Sequence, residues 1–156
     1  MSRGSSRDMA EKWLLAEPDE DMRRELQSLI DGSSNELEDR FNGRLMFGTA
    51  GLRAEVGAGP NRMNRLVVRQ AAAGLIDYLL RTVEGSVEAG ILIGFDARRK
   101  SDVFAIDTAR VAAARGMKAM LLPQVIPTPV LAWNITRLGA AAGVMVTASH
   151  NPPQDN

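Results

Sequence analysis

The feature that most constrains this chain is the alternation that begins at Gly90. Residues 91–95, 117–122 and 142–147 are short apolar runs rich in β-branched and small side chains, and residues 101–115 and 129–138 between them carry helical patterning. Ser101 stands where an N-cap is wanted, and Gly116 follows where a helix would end. Strands that alternate with helices predict right-handed crossovers, so the expected fold is a three-layer α/β/α domain with a mostly parallel, mixed sheet. Open sheets of this kind gather ligands beyond the carboxyl ends of their strands. Those ends carry Asp96 and Arg98, then the loop of residues 123–129 with Thr128, then residues 147–153 with Ser149 and His150. These side chains can face a common crevice, which the loop of residues 48–53 could join.

The last of these segments offers two readings. An apolar run that breaks into Thr147, Ser149, Asn151, Pro152 and Pro153 places a serine hydroxyl on the lip of the sheet. Thr, Ser, Asn and Pro are equally the residues of an ordinary turn.

Upstream, residues 1–7 are too polar to pack and read as a loose tail. Residues 8–15 and 18–30 have helical patterning. In the second segment Pro18 suits the first turn, Asp19, Glu20 and Asp21 favour the amino end, and Met22, Leu26, Leu29 and Ile30 form one stripe before Gly32. A short helical piece, residues 34–40, leads into residues 43–48, whose alternation predicts a strand. Gly48, Thr49, Gly51 and Arg53 then lie within six residues. Glycines so close allow a tight bend whose N–H groups converge on an anion, with the Arg53 fork suited to phosphate oxygens; such glycines also serve a bend and nothing more. A helix running to about Thr82, with Leu66, Val67, Ala71, Leu75, Leu79 and Val83 on one face, follows a loop at residues 57–61. Arg62 and Arg65 near its start are either solvated surface charges or further anion holders.

Composition narrows the function. The chain has 19 Lys+Arg against 19 Asp+Glu, so no basic field points to nucleic acid or an anionic membrane. It has no cysteine and one histidine, too few nitrogen or sulfur ligands for a zinc site, and no thiol nucleophile. No apolar signal core opens it and no stretch is long enough to span a bilayer, so the expected location is cytoplasmic. Ser149 lacks the flanking glycines of a nucleophile elbow and its only histidine is its sequence neighbour, which disfavours a serine hydrolase. No Walker-type run is present. Phosphoryl chemistry fits better: a phosphate-carrying hydroxyl needs nearby cations and donors, which Arg53, Arg98 and the glycine loop can supply, and His150 can move a proton.

Thr147-Ala148-Ser149-His150-Asn151-Pro152 resembles the phosphoserine loop of the α-D-phosphohexomutases. Residues 47–53 are similar to that family's Gly-Thr-x-Gly-x-Arg motif, and residues 94–98 to its Gly-x-Asp-x-Arg segment. The resemblance runs from about Arg40 to Asn156, and residues 59–64 with the helical arm look like the branch of phosphoglucomutase 2-like enzymes. It implies a phosphoglucomutase or phosphomannomutase that interconverts hexose 1-phosphate and 6-phosphate through a hexose 1,6-bisphosphate. By the matching motifs, Ser149 carries the phosphoryl group and contacts Mg2+ through it, His150 assists proton transfer, Arg53 with Thr49 and Gly51 positions the phosphoserine, and Asp96 and Arg98 support them. The implied partners are sugar phosphates and further domains of the same chain.

Departures accompany the match. The Asp-rich metal loop, the sugar-recognition loop and the lysine expected soon after the serine motif are missing, and Ala50 and Ala54 stand where relatives often carry serine and glycine. Residues 1–39 therefore read as tail and helical arm, and residues 40–156 as the first domain of a four-domain enzyme. A phosphopentomutase of the same family, and a sugar-phosphate-binding module without turnover, are the competing readings.

Overall fold

The computed structural model describes residues 5–32, 34–49, 51–148, 151, 152 and 155. They form two compact units, residues 1–67 with 151–156, and residues 68–150.

The first unit is built on three helices, α1 (Ser6–Ala16), α2 (Glu20–Asp31) and α3 (Ser34–Phe41). Helix α1 starts earlier than the composition of residues 1–7 predicts. Ser5 caps α1 in a reciprocal box, its hydroxyl accepting from the Asp8 amide at 3.2 Å while the Asp8 carboxylate accepts from the Ser5 amide at 3.1 Å. Asp19, not Pro18, sets the start of α2: its carboxylate accepts from the amides of Asp21 and Met22, and Pro18 lies outside the helix. The apolar stripes of the helices meet in a core of Ala10, Met22, Leu26, Ile30, Leu37 and Phe41 with Ala58 from the following loop, and Trp13 stands edge-on to Phe41 at 6.2 Å.

Residues 43–46 form no strand. Met46 and Phe47 are largely exposed, 83% and 72%, so their alternation has neither a packed face nor a strand partner to hold it in a ladder. Polar side chains hold the later loop at residues 57–59. Arg40, 8% exposed, donates through Nη1 to the Glu25 carboxylate and to the Ala58 carbonyl (3.3 Å), and through Nη2 to Glu36 (2.9 Å). Buried Asn64 donates to the carbonyls of Gly57 (3.0 Å) and Gly59 (2.7 Å), and its Oδ1 accepts from the Val67 amide as an N-cap does. Arg62, a candidate anion holder by sequence, is paired with Asp39 at 2.8 Å.

The second unit contains most of α4 (Arg65–Thr82), the one-turn α5 (Ser86–Ala89), β1 (Ile91–Phe95), α6 (Ser101–Ala114), β2 (Ala119–Leu121), α7 (Thr128–Leu138) and β3 (Ala142–Val146). Its three strands pair in parallel in the order β2-β1-β3, with Ile91 opposite both Ala119 and Ala142. Central β1 is the most apolar stretch and is buried from Ile91 to Gly94, as a strand covered on both faces must be.

The two faces follow the period of two. Ile91 and Ile93 pack with Ala72, Ile76 and Leu79 of α4 and Ala105 and Ala112 of α6, and Ala142, Val144 and Val146 join them from β3. The alternate positions face α7. A Cβ at Gly94 would lie 2.7 Å from Ile126 Cδ1 in the loop before α7 and 3.1 Å from Leu131 Cδ1 of α7, and one at Gly143 would lie 2.3 Å from Ile135 Cδ1, so these two glycines on neighbouring strands let α7 approach the sheet. The sheet is therefore sandwiched between helices on both faces.

Candidate functional site

At the carboxyl end of the second unit's sheet, Asp96 gathers the chain. Its amide donates to the Val146 carbonyl at 3.1 Å, extending the β1–β3 ladder by one residue. Its Oδ1 accepts from the Ser101 hydroxyl at 2.7 Å and from the Arg98 amide at 3.0 Å, its Oδ2 lies 3.5 Å from Arg98 Nε, and the Thr147 hydroxyl also donates to the carboxylate. Burial acts to raise the Asp96 pKa, but the hydrogen bonds from Thr147, the Arg98 amide and Ser101, with the Arg98 charge, outweigh it and hold the group below the usual carboxylate value.

One carboxylate thus ties the end of β1 to the start of α6 and to Thr147, just before fully buried Ala148. This changes the part Ser101 was expected to play. Ser101 is the first residue of α6, not its cap. Lys100 takes the cap position in a left-handed conformation (φ 64°) and makes no side-chain cap bond, since an ammonium offers no acceptor, while the Ser101 hydroxyl is turned onto Asp96. Arg98, expected to meet phosphate, faces the same carboxylate. Thr128 is exposed as the first residue of α7.

The glycine loop belongs to the first unit. Gly48 and Gly51 pair in a small antiparallel bridge, Gly48 N to Gly51 O at 3.0 Å and Gly51 N to Gly48 O at 3.3 Å, and Gly51 needs the positive φ of 99° to close it. The two amides that an anion might have drawn upon are satisfied by one another; Thr49 stays exposed between them. Arg53 leaves this bend half-buried. Its Nη1 donates to Asn151 Oδ1 at 3.1 Å, and its Nε is buried with no hydrogen-bond partner among the described residues. Asn151 Nδ2 in turn donates to Asp155 Oδ2 at 3.0 Å.

Asn151 and Asp155 were not singled out as partners of Arg53 by the sequence. The contact spans 98 positions, and their only local signal is a polar turn broken by proline. Ser149, His150 and Ala50 lie outside the described residues. Among the described residues no three His, Cys, Asp or Glu side chains gather into a possible cation site, and no helix is long and apolar enough to cross a membrane. Ser149 is the only residue of this chain that the resemblance assigns to magnesium.

A parallel sheet between helices, with a polar junction where β1 and β3 end, defines an α/β/α domain whose chemistry-bearing segments leave the strands at one end. Residues 44–156 match the family model of the phosphoglucomutase/phosphomannomutase α/β/α domain I, and the chain belongs to that family. It is 42% identical over 150 residues to a probable phosphoribomutase of Schizosaccharomyces pombe, covering 96% of this chain and 26% of that one. To a probable phosphomannomutase of Haemophilus influenzae it is 56% identical over 94 residues, covering 60% and 19%. To human glucose 1,6-bisphosphate synthase it is 36% identical over 152 residues, covering 93% and 24%. Among solved structures, a Thermus thermophilus protein provisionally assigned as a phosphomannomutase superposes with a TM-score of 0.64 at 33% identity, over 72% of this chain and 24% of that one. The chain spans about a quarter or less of the length of these relatives.

Proposed function

We propose that the chain is domain I, residues 40–156 behind a helical arm, of a cytoplasmic sugar phosphomutase that works through a phosphorylated Ser149. Ser149 accepts and returns the phosphoryl group, with a hexose 1,6-bisphosphate as the bridging intermediate. His150 moves a proton at the reacting oxygen, and Arg53 holds the phosphate of the serine, with Thr49 and Gly51 shaping its loop. Arg98 supplies positive charge near the ends of the strands. Mg2+ is the metal this reading calls for; bound to the serine phosphate, it would stabilise negative charge on the transferring group. The observation that carries the reading is the Arg53–Asn151 hydrogen bond, which ties the arginine of one motif to the residue that follows Ser149 and His150.

Incubation of the full-length protein with glucose 1,6-bisphosphate should leave a phosphate on Ser149, located by peptide mass spectrometry and abolished in Ser149→Ala. Label on another residue overturns the assignment. The 156 residues alone should show negligible mutase turnover, since a single domain does not position both ends of the substrate. A pentose phosphate substrate is the second reading. It is favoured by the breadth of the match to the relatives named phosphoribomutase and phosphopentomutase, 96% and 82% of this chain against 60% for the phosphomannomutase. Ratios of kcat/KM for ribose 1-phosphate and glucose 1-phosphate decide between them.

A further inference from the structure

We propose that Asn151 and Asp155 are positioning residues that fix the Arg53 guanidinium, with Asp155 setting which end of the Asn151 amide the arginine meets. The inference rests on the reading of Arg53 as a holder of the Ser149 phosphate.

The argument begins with the two ends of a primary amide. Oδ1 and Nδ2 are nearly the same size, so packing alone does not choose between them; their hydrogen-bond partners do. A guanidinium only donates and a carboxylate only accepts. Asn151 lies between one of each, with Oδ1 3.1 Å from Arg53 Nη1 and Nδ2 3.0 Å from Asp155 Oδ2. Rotating the amide by half a turn would set donor against donor at Arg53 and acceptor against acceptor at Asp155. Both bonds would fail together, so Asp155 imposes the orientation that gives Arg53 its acceptor.

The backbone holds this arrangement from both sides. The Asp155 amide donates to the Pro152 carbonyl at 3.0 Å, a main-chain bond that keeps Asp155 beside the residue after Asn151. Asp155 also forms an antiparallel bridge with Glu55, two residues beyond Arg53. The segment carrying the carboxylate and the segment carrying the arginine are therefore joined at the main chain as well as through the amide. With Nη1 anchored, one end of the guanidinium is held, and the buried Nε is a further donor beside it. A cation that must meet phosphate oxygens at one place gains from being held before they arrive.

The test exchanges donor and acceptor. In the full-length protein labelled with 15N-arginine, the Arg53 Nη protons should be resolved and slow to rotate. In Asp155→Ala they should average, and phosphorylation of Ser149 by glucose 1,6-bisphosphate should slow about tenfold, the scale of one charge-assisted hydrogen bond. Asp155→Asn keeps an oxygen for Nδ2, so it should retain the Arg53 signature and lose less than about twofold in rate. Asn151→Asp alone opposes two carboxylates and should lose the signature. The double exchange Asn151→Asp/Asp155→Asn restores a donor facing an acceptor at each contact and should recover it.

A merely structural pair would not be rescued by that exchange. Unchanged Arg53 signals in Asp155→Ala, or no recovery in the double exchange, overturn the proposal whatever the labelling shows. If the wild-type protein takes no label on Ser149, the reading of Ser149 fails, while the arginine signals still decide the role of Asn151 and Asp155.

Discussion

The two units of this chain are stabilised in different ways. In the second, Ile91 and Ile93 of a central parallel strand meet Ile76, Leu79 and Ala105 across one face in an apolar cluster, and buried Asp107 is matched by Arg69 at 2.8 Å. In the first, three amphipathic helices share a small apolar core, and the loop they carry is held by Arg40, Glu25 and Asn64 through hydrogen bonds to main-chain groups at 57–59. A sheet satisfies its own backbone and can be packed with hydrocarbon. An irregular loop has no ladder, so its buried carbonyls and amides must find side chains. The motif loop that includes Arg53 belongs to the second kind of structure. Its geometry therefore depends on polar side chains that lie far from it in sequence.

That contrast can be broken by mutation, and Trp13 and Trp133, one in each unit, allow each to be followed by fluorescence in single-tryptophan variants. The largest effect is expected for Phe104→Ala. This side chain is 1% exposed, and its loss should lower unfolding stability by about 3–5 kcal/mol in urea titrations followed at Trp133. A loss below about 1 kcal/mol would mean that the second unit is not held by its hydrocarbon core.

Arg40→Ala comes next. Its side chain is 10% exposed, but Glu36 is 57% open to water, so the cost is expected near 2 kcal/mol, less than for a fully buried pair, and at the Trp13 transition. Ser5→Ala, which removes one half of the capping box, should cost about 1 kcal/mol at the same probe. A neutral Ser5→Ala would return residues 5–7 to the loose tail that their composition suggests.

The smallest effect is one of direction. Asp96 in the second unit is held below its ordinary pKa, so it adds stability above the unfolded value of about 3.9 that is lost as pH falls through the folded value. Glu17 in the first unit is raised, chiefly by burial, which the hydrogen bonds from Asp19 and Trp13 do not offset. Its charge is a penalty at neutral pH that is relieved as pH falls through its raised value toward about 4.3. Stability measured against pH should therefore lose part of its acid slope in Asp96→Asn, and lose a gain on mild acidification in Glu17→Gln. Identical curves for the two variants would remove the distinction between the units.

Much of this was legible in the order of residues. The repeat of Met22, Leu26 and Ile30 marks a helix because three and four residues make one turn, and the structure keeps that face buried. The strands at 91–95 and 142–147 were readable from their apolar runs, and the latter ends one residue early, at Val146. The expected strand at 43–48 failed, because alternation marks a strand only when another strand supplies its hydrogen bonds. The helix start at 101 was right while its cap was not: a serine there satisfies the local rule, but Asp96, five residues back, took the hydroxyl.

The sequence by itself determined the α/β alternation, the helical arm and the three motifs, because helix periodicity, apolar runs and turn residues act over a few neighbouring positions. Only the tertiary structure decided that Asp96 receives Thr147 and that Arg53 meets Asn151 across 98 residues. Hydrogen bonds choose partners by distance and direction in space, and that choice exists only once the chain has folded back on itself.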